Sequence, residues 1–128
     1  MNKIIHTDLA PAAIGPYSQA VQTGGLLFVS GQLPIDPATG AFAGDDITAQ
    51  TRQSLTNMKN ILLQAGADMC DVVKTTVLLA DIADFAAMNA VYAEVFEGTL
   101  YPTRTTLEAA RLPKDSLVVM DAIAAIPD

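Results

Sequence analysis

The sequence predicts an α+β fold, with one mostly antiparallel sheet of about six strands and two helices on one face of that sheet. Two long stretches carry apolar residues at three- and four-residue spacing, which is typical of amphipathic helices. Short apolar or β-branched runs surround these stretches in the order β, ββ, α, β, α, ββ. Because strands and helices are mixed without regular alternation, this order favours α+β over a parallel α/β sheet.

The first third of the chain predicts three short strands separated by turns. Gly24-Gly25 lies between two apolar runs, and both glycines can take the positive φ of a tight hairpin turn. Two prolines and a glycine between residues 10 and 19 predict a rigid, non-helical loop, which carries Tyr17 either towards a site or into the packed interior. The predicted strands are 3–6, 19–23 and 26–30, and the turn that follows is predicted at 36–40.

The first helix is predicted at about residues 47–65. Asp45 and Asp46 offer N-caps, and Gly66 suits the position after the last turn. The stripe predicted to be buried consists of Leu55, Met58, Leu62 and Ala65, with Ile61 beside it. The polar residues predicted to lie away from that stripe are Gln53, Thr56, Asn57, Asn60 and Gln64.

The second helix is predicted at about residues 82–96, with Asp81 as its N-cap and Gly98 as its stop. Asn89 lies at the edge of its apolar stripe, where a polar amide must find hydrogen-bond partners or face a pocket. The stripe itself is predicted to be Phe85, Met88, Tyr92 and Val95.

Three further strands complete the predicted sheet. Residues 71–80 are apolar on both faces and predict a central strand, whereas residues 104–110 are Thr-rich and short. A turn at 112–115 leads to a long final strand at 116–126. On that strand Leu117, Val119, Asp121 and Ile123 share one face, and Ser116, Val118, Met120, Ala122 and Ala124 share the other. The sheet face without helices also needs cover, and we expect other subunits to supply it.

Composition limits the possible classes of function. A chain of 128 residues is expected to form one domain, residues 1–128, with its own core. Only 16% of the residues are charged, which favours a buried subunit interface. The net charge is −7 and the chain has no Trp, so it lacks the basic patch and the stacking platforms of a nucleic-acid-binding protein.

The ends and the cysteine content favour a cytoplasmic protein with no membrane partner. Cys70 is the single cysteine, so it cannot form an internal disulfide, and we expect it to be a small buried residue. The N-terminus lacks the apolar run of a signal peptide, and no run approaches the roughly 18 residues of a membrane-spanning helix. His6 has no second histidine or cysteine nearby, so no metal site is predicted.

The candidate functional residue is Arg104, at the entrance of the short strand between Pro102 and Pro113. Alternation along a strand puts Arg104, Thr106 and Glu108 on one face. A guanidinium matches a carboxylate with two parallel hydrogen bonds, so this arrangement suits a pocket that clamps a small carboxylate. The alternative is a surface arginine in a solvated ion pair.

Several common catalytic motifs are absent from the sequence. It contains no GxGxxG, no P-loop and no GxSxG elbow, and a lone histidine disfavours a catalytic triad. An enzyme with this sequence must therefore work through positioning, an arginine, hydroxyls, backbone groups and water.

The order and spacing of six short segments resemble the Rid family of reactive intermediate deaminases, also called the YjgF family. The resemblance covers nearly the whole chain. The segments are Ala12–Ala20, Phe28–Pro34, Thr75–Val77 followed by Asp81, Asp84-Phe85 with Asn89, Tyr101–Arg104 and Ala110–Asp115.

The resemblance implies a chorismate-mutase-like fold and a homotrimer with sites in the clefts between subunits. It also implies hydrolysis of 2-imino acids and their enamine tautomers to 2-keto acids and ammonia, without a cofactor. Such species arise when pyridoxal-phosphate enzymes dehydrate serine or threonine. By position, Arg104 would grip the substrate carboxylate, and the backbone at Thr106 would hold the imine nitrogen or the attacking water. The residues implied to line the pocket are Tyr17, Ser30, Gly31 and Asn89.

The sequence departs from the deaminase pattern at two positions. Thr106 stands where the family usually has cysteine, which matters little if the backbone carbonyl acts. Val119 stands where active deaminases have a glutamate that orients the water. Asp121 matches only the second carboxylate of that segment, and Glu108 on the Arg104 face is a candidate replacement.

Three hypotheses follow from the resemblance and from these departures. The first is an imine/enamine deaminase, weakened by Val119. The second is a non-catalytic protein that binds small keto acids or amino acids as a sensor or buffer, which the Val119 substitution favours. The third, a ribonuclease or translation inhibitor, rests on older family labels, and the acidic charge and the absence of a histidine pair argue against it.

Overall fold

The computed structural model describes residues 1–127, which form a six-stranded sheet, a small second hairpin and two helices. The strand order in the main sheet is β1-β2-β3-β8-β6-β7. Neighbouring strands are antiparallel except β6 and β7, which are parallel and joined by α2. The elements are β1 Lys3–Ile5, β2 Ala20–Thr23, β3 Leu26–Gln32, β4 Ile35–Asp36, β5 Ala41–Phe42, α1 Ile47–Gln64, β6 Val72–Leu79, α2 Phe85–Val95, β7 Thr103–Glu108 and β8 Val118–Ala125.

The core lies between the helices and one face of the sheet. Alternate residues of β8 are buried, and α1 contributes its apolar stripe to the same cluster. Burying a side chain of this size stabilises the fold by about 1.5–3 kcal/mol relative to leaving it exposed. The predicted α+β architecture, with both helices packed in one layer against the sheet, is confirmed. Central members of this core are Leu55, Met58, Leu62, Met88, Val118 and Met120.

The ends of α1 follow local rules. Asp46 is the N-cap, and its Oδ1 accepts a hydrogen bond from the Ala49 backbone N–H at 2.8 Å. Gly66 follows the last turn with φ of 82°, a left-handed conformation that glycine adopts without steric cost.

The second helix differs from the prediction at its start. Asp81 caps a short 3₁₀ turn at Ile82–Asp84, and the α-helix begins only at Phe85. Such turns are common at the N-termini of α-helices. The helix ends at Val95, just before the predicted Phe96.

Two predictions about burial are wrong. Asn57 was assigned to the polar side of α1, yet it is completely buried, and its Nδ2 donates to the carbonyl oxygens of Leu33 and Ile35. Its amide can be buried because the chain around β4 supplies these two carbonyl oxygens as hydrogen-bond acceptors. Cys70 is exposed rather than buried, since Met69 of the same 3₁₀ turn occupies the apolar position.

The opposite face of the sheet carries exposed apolar side chains, including Leu26, Phe28, Val73 and Leu107. The β3 side chains that point to the helices, Leu27 and Val29, are buried, whereas these four are not. Cover by further subunits stays a prediction. No helix in the described part of the chain is long and apolar enough to cross a membrane.

Candidate functional site

Arg104 lies near the start of the edge strand β7 and points towards α2. It pairs in register with Thr75 of β6. Its Nη1 donates a hydrogen bond to Asn89 Oδ1 at 2.6 Å. The guanidinium carbon lies 4.7 Å from the Tyr92 ring centroid and 5.4 Å from that of Phe85, within the range of a cation–π interaction. The amide at the edge of the helix stripe thus has the partner that its position requires.

Tyr92 connects this arginine to the core. Its hydroxyl shares a 2.7 Å hydrogen bond with the Thr75 hydroxyl, and both residues are buried. Burial raises the pKa of the Tyr92 phenol, although the bond to Thr75 and the nearby Arg104 charge act in the opposite direction. Tyr92 therefore stays neutral at physiological pH and does not compensate the charge of Arg104.

The positive charge of Arg104 has no carboxylate partner among residues 1–127. The three ion pairs in that part of the chain join His6 to Asp8, Arg52 to Glu94 and Arg111 to Asp115. Arg104 is half-buried and is held by neutral groups alone. The alternative of a solvated ion pair at this arginine is therefore not observed.

Thr106 and Glu108 follow Arg104 on the same face of β7. Thr106 pairs with Val77 of β6, and its Oγ1 is buried without a hydrogen-bond partner. Glu108 lies at the far end of the strand, where its Oε1 accepts a hydrogen bond from the Ile82 backbone N–H at 2.9 Å. That carboxylate serves the start of the 3₁₀ turn, about 13 Å along the strand from Arg104.

A separate open cleft of about 800 Å³ lies beside the loop that precedes β2. Tyr17, Gly31 and Val119 are among the residues that line it. Asp8 and Lys114 are the charged residues of its wall, and the Asp8 side chain is almost fully exposed and paired with His6. The remainder of the wall is largely apolar.

Gly31 and Val119 are in close contact in this cleft. A Cβ atom at Gly31 would lie 2.9 Å from Val119 Cγ1, closer than side chains tolerate. The pairing of β3 with β8 shifts register between Val29 and Gln32, so Ser30 and Gly31 lie at an irregularity of the strand. The Ser30 hydroxyl points away to donate to the Ser18 carbonyl oxygen at 2.6 Å.

The chain therefore holds its predicted site residues in two groups. Tyr17 and Gly31 line the cleft with Val119, whereas Arg104, Asn89 and Thr106 belong to the β7–α2 edge and do not line it. Among residues 1–127 no cluster of three or more His, Cys, Asp or Glu side chains could hold a metal ion.

Sequence reasoning missed two kinds of contributor. Phe85 and Tyr92 were assigned to the core stripe alone, although both also stack on Arg104. Gln19 was treated only as the start of a strand, but it is buried and borders the cleft. Spacing along α2 places Phe85, Asn89 and Tyr92 on neighbouring turns of one side of the helix, which was an available signal.

Comparisons with known proteins identify relatives over nearly the full chain. A family model described as Endoribonuclease L-PSP matches residues 7–126. The 2-iminobutanoate/2-iminopropanoate deaminase of Salmonella typhimurium is 50% identical over 126 residues, which cover 97% of this chain and 98% of that protein.

Solved structures extend the similarity to the fold. A Yersinia pestis protein of the Rid family, YyfA, superposes with a TM-score of 0.97 at 45% identity, covering 98% of this chain and 100% of that one. Escherichia coli TdcF, solved with bound serine, superposes with a TM-score of 0.95 at 45% identity, covering 98% of this chain and 99% of that one.

Proposed function

Because the chain belongs to the YjgF/Rid family, we propose that it is a hydrolase that converts 2-imino acids and their enamine tautomers to 2-keto acids and ammonia. Water adds to the imine carbon, and one of its protons moves to the nitrogen, which gives a carbinolamine. The remaining hydroxyl proton then passes to the nitrogen as the carbon–nitrogen bond breaks, leaving a carbonyl group and ammonia. An enamine first takes a proton on its terminal carbon to become the imine.

The observation that carries this proposal is the uncompensated charge of Arg104. Asn89, Phe85 and Tyr92 fix the guanidinium without neutralising it. A half-buried cation in that state gains a charge-assisted, bidentate interaction when a small carboxylate arrives. Holding the carboxylate also fixes the imine carbon relative to water, which lowers the entropic part of the barrier.

We place the complete site between two copies of the chain. Within one copy the carboxylate clamp and the cleft are separate, and the cleft wall includes Val119, whose strand neighbours Asp121 and Ile123 face the uncovered side of the sheet. A second copy that covers the apolar face would bring its own β7 edge to this cleft. A homotrimer would repeat the arrangement three times around one axis.

The apolar Val119 side chain lowers the rate of imine hydrolysis that we expect. The cleft wall offers no carboxylate beyond the exposed Asp8, so the attacking water has no nearby buried base. General-base catalysis contributes about 10²–10⁴-fold where it operates. Hydrolysis of a small imine is intrinsically fast, so positioning by Arg104 suffices for a slow deaminase of reactive metabolites.

Keto-acid release from enzymatically generated 2-iminobutyrate tests the function. We expect Arg104→Ala to lower kcat/KM by about 10–100-fold, because a hydrogen-bonded charge contributes about 1.5–3 kcal/mol. Arg111→Ala is the matched control, since Arg111 is exposed and already paired with Asp115. Equal rates for wild type and Arg104→Ala, or no acceleration over buffer by wild type, would contradict the proposal.

A subunit-mixing experiment tests the composition of the site. Arg104→Ala and Tyr17→Ala each damage one of the two groups, and we expect both variants alone to be impaired. If the groups meet between copies, chains unfolded together and refolded at equal ratio regain about a quarter of the wild-type sites. A mixture no more active than the mean of the two variants would place the whole site within one chain.

A second candidate function is binding without catalysis, and the apolar Val119 in the cleft favours it. The same clamp would then hold a small keto acid or amino acid as a sensor or buffer. Calorimetry with 2-ketobutyrate distinguishes the two. Arg104-dependent binding without any acceleration of imine hydrolysis selects the binding protein, and acceleration selects the enzyme.

A further inference from the structure

Gln19 is a buried side-chain amide that both donates and accepts hydrogen bonds to one loop. Its Oε1 accepts from the Thr7 backbone N–H at 2.8 Å, and its Nε2 donates to the carbonyl oxygens of Thr7 at 3.0 Å and Pro11 at 2.9 Å. A longer contact of 3.4 Å reaches the carbonyl oxygen of Ala10. Gln19 is 3% exposed, so water cannot replace these bonds.

The anchored loop forms one wall of the cleft. Its first part, residues 7–11, is held by Gln19, by Asn60 Nδ2, which donates to the Leu9 carbonyl oxygen at 2.9 Å, and by the buried Ala10. Its end is held by the Ser30 hydroxyl on the carbonyl oxygen of Ser18. The span between these anchors carries Ile14 and Tyr17, which are 83% and 54% exposed. Side chains so exposed gain little from burial, so the anchors rather than packing determine where they lie.

We propose that Gln19 is a positioning residue for ligand binding, acting through the loop and through Tyr17. The role rests on the proposed function, because it assumes that the cleft receives the substrate. Gln19 does not touch the ligand itself. It fixes the backbone from which the Tyr17 ring projects, so its loss lowers affinity without changing the chemistry at Arg104.

The side-chain amide is suited to this position because it donates and accepts at once. Glutamate keeps the shape but turns the Nε2 position into an acceptor that faces carbonyl oxygens. Methionine keeps similar length and removes all the bonds without adding charge. Gln19→Glu and Gln19→Met therefore separate the loss of bonding from the introduction of charge, and the second variant remains informative if the first does not fold.

Gln50 provides a matched control. It is also 3% exposed, and its Nε2 donates to the carbonyl oxygen of Gly44 while its Oε1 accepts from the Leu117 N–H. Neither of those partners lines the cleft. Gln50→Met should therefore lower stability to a similar degree without changing ligand affinity.

The experiment measures 2-ketobutyrate affinity by calorimetry and amide hydrogen exchange by mass spectrometry. For Gln19→Met we expect Kd to rise about tenfold and exchange in residues 7–18 to accelerate, and for Gln50→Met we expect Kd within about twofold of wild type. In a Tyr17→Ala background the Gln19 substitution should change Kd by less than about twofold, because coupled residues are not additive.

Three results overturn the positioning role. They are unchanged affinity in both Gln19 variants, an equal loss in Gln50→Met, and a full tenfold loss by Gln19→Met when Tyr17 is already alanine. If wild type binds no keto acid at all, the proposed function and this role fall together. If wild type binds and the Gln19 variants bind equally well, the positioning role falls alone.

Discussion

Arg104 is held by an amide and two aromatic rings rather than by a carboxylate. A carboxylate partner would fix the guanidinium but would also satisfy its charge. Neutral partners fix its orientation and leave the charge for a ligand, while the rings supply a favourable electrostatic face. The chemistry proposed for this chain depends on that difference.

The side chain of Val119 leaves no room for a Cβ atom at position 31, so glycine is needed there. We expect Gly31→Ala to lower the free energy of unfolding by about 1–3 kcal/mol, because the new methyl group would overlap Val119 Cγ1. Val119→Ala should recover much of that loss in the double variant. Gly25→Ala is the control, since a Cβ there meets nothing within 4 Å. Denaturant unfolding is measured for wild type, both single variants, the double variant and the control, and strictly additive effects of Gly31→Ala and Val119→Ala would contradict the contact.

Tyr92 makes the free energy of unfolding depend on pH in the alkaline range. Burial raises its folded-state pKa above the ordinary value, so the folded protein holds this proton more tightly than the unfolded chain does. Its contribution is fully present below about pH 10 and is lost as pH rises through the folded-state pKa. Tyr92→Phe should flatten the fall in unfolding free energy above about pH 10. An equally steep fall in Tyr92→Phe would exclude Tyr92 as its source.

Residue-level sequence reasoning succeeded where local geometry decides. Asn89 had to find a partner because it lies at the edge of an apolar stripe, and Arg104 is that partner. Asn57 was misassigned because its partners, Leu33 and Ile35, lie more than twenty residues away in sequence. The residue pattern of a helix does not predict which distant segment of the chain packs against it.

At the scale of elements, the start of α1 depends on one of two adjacent aspartates. Asp46 accepts the capping hydrogen bond, and Asp45 does not. We expect Asp46→Ala to lower the free energy of unfolding by about 1 kcal/mol and Asp45→Ala to change it by less than about 0.5 kcal/mol. Thermal or urea unfolding of the two variants checks this. Equal destabilisation by the two substitutions would contradict the assignment of Asp46 as the N-cap.

Long elements were predictable and very short ones were not. The helices and strands β3, β6, β7 and β8 contain enough residues to reveal a period, whereas β1 and β2 were located from short apolar runs beside turn signals. The β4–β5 hairpin has two residues in each strand, which is too short to alternate visibly, so it was predicted only as the turn at 36–40. The 3₁₀ turn before α2 was missed for the same reason.

At the scale of the whole molecule, the uncovered sheet face is the dominant unsatisfied feature. Phe28 is 42% exposed there and lies opposite Ile123 of β8. Exposed apolar surface of this kind marks a site of association, and we propose that its partner is another copy of the chain. The same association is what the proposed site requires.

Phe28→Asp should therefore disrupt assembly. We expect light scattering to give the mass of a trimer for wild type and of a single chain for the variant, because a charge on a buried apolar face is strongly unfavourable. The rate of imine hydrolysis should fall as well, because the proposed site lies between subunits. Leu63→Asp, at an exposed position on α1, is the control and should remain assembled. A wild-type mass of one chain would refute the interface.

The sequence by itself determined the class of fold, the helices, the main strands and the arginine on which the proposed function depends, because these follow from periodicity, caps and residue chemistry within short windows. Only the tertiary structure decided that neutral partners hold Arg104, that Asn57 and Gln19 are buried anchors, and that the cleft and the clamp are separate in one chain. Those facts depend on contacts between segments distant in sequence, which no local pattern records.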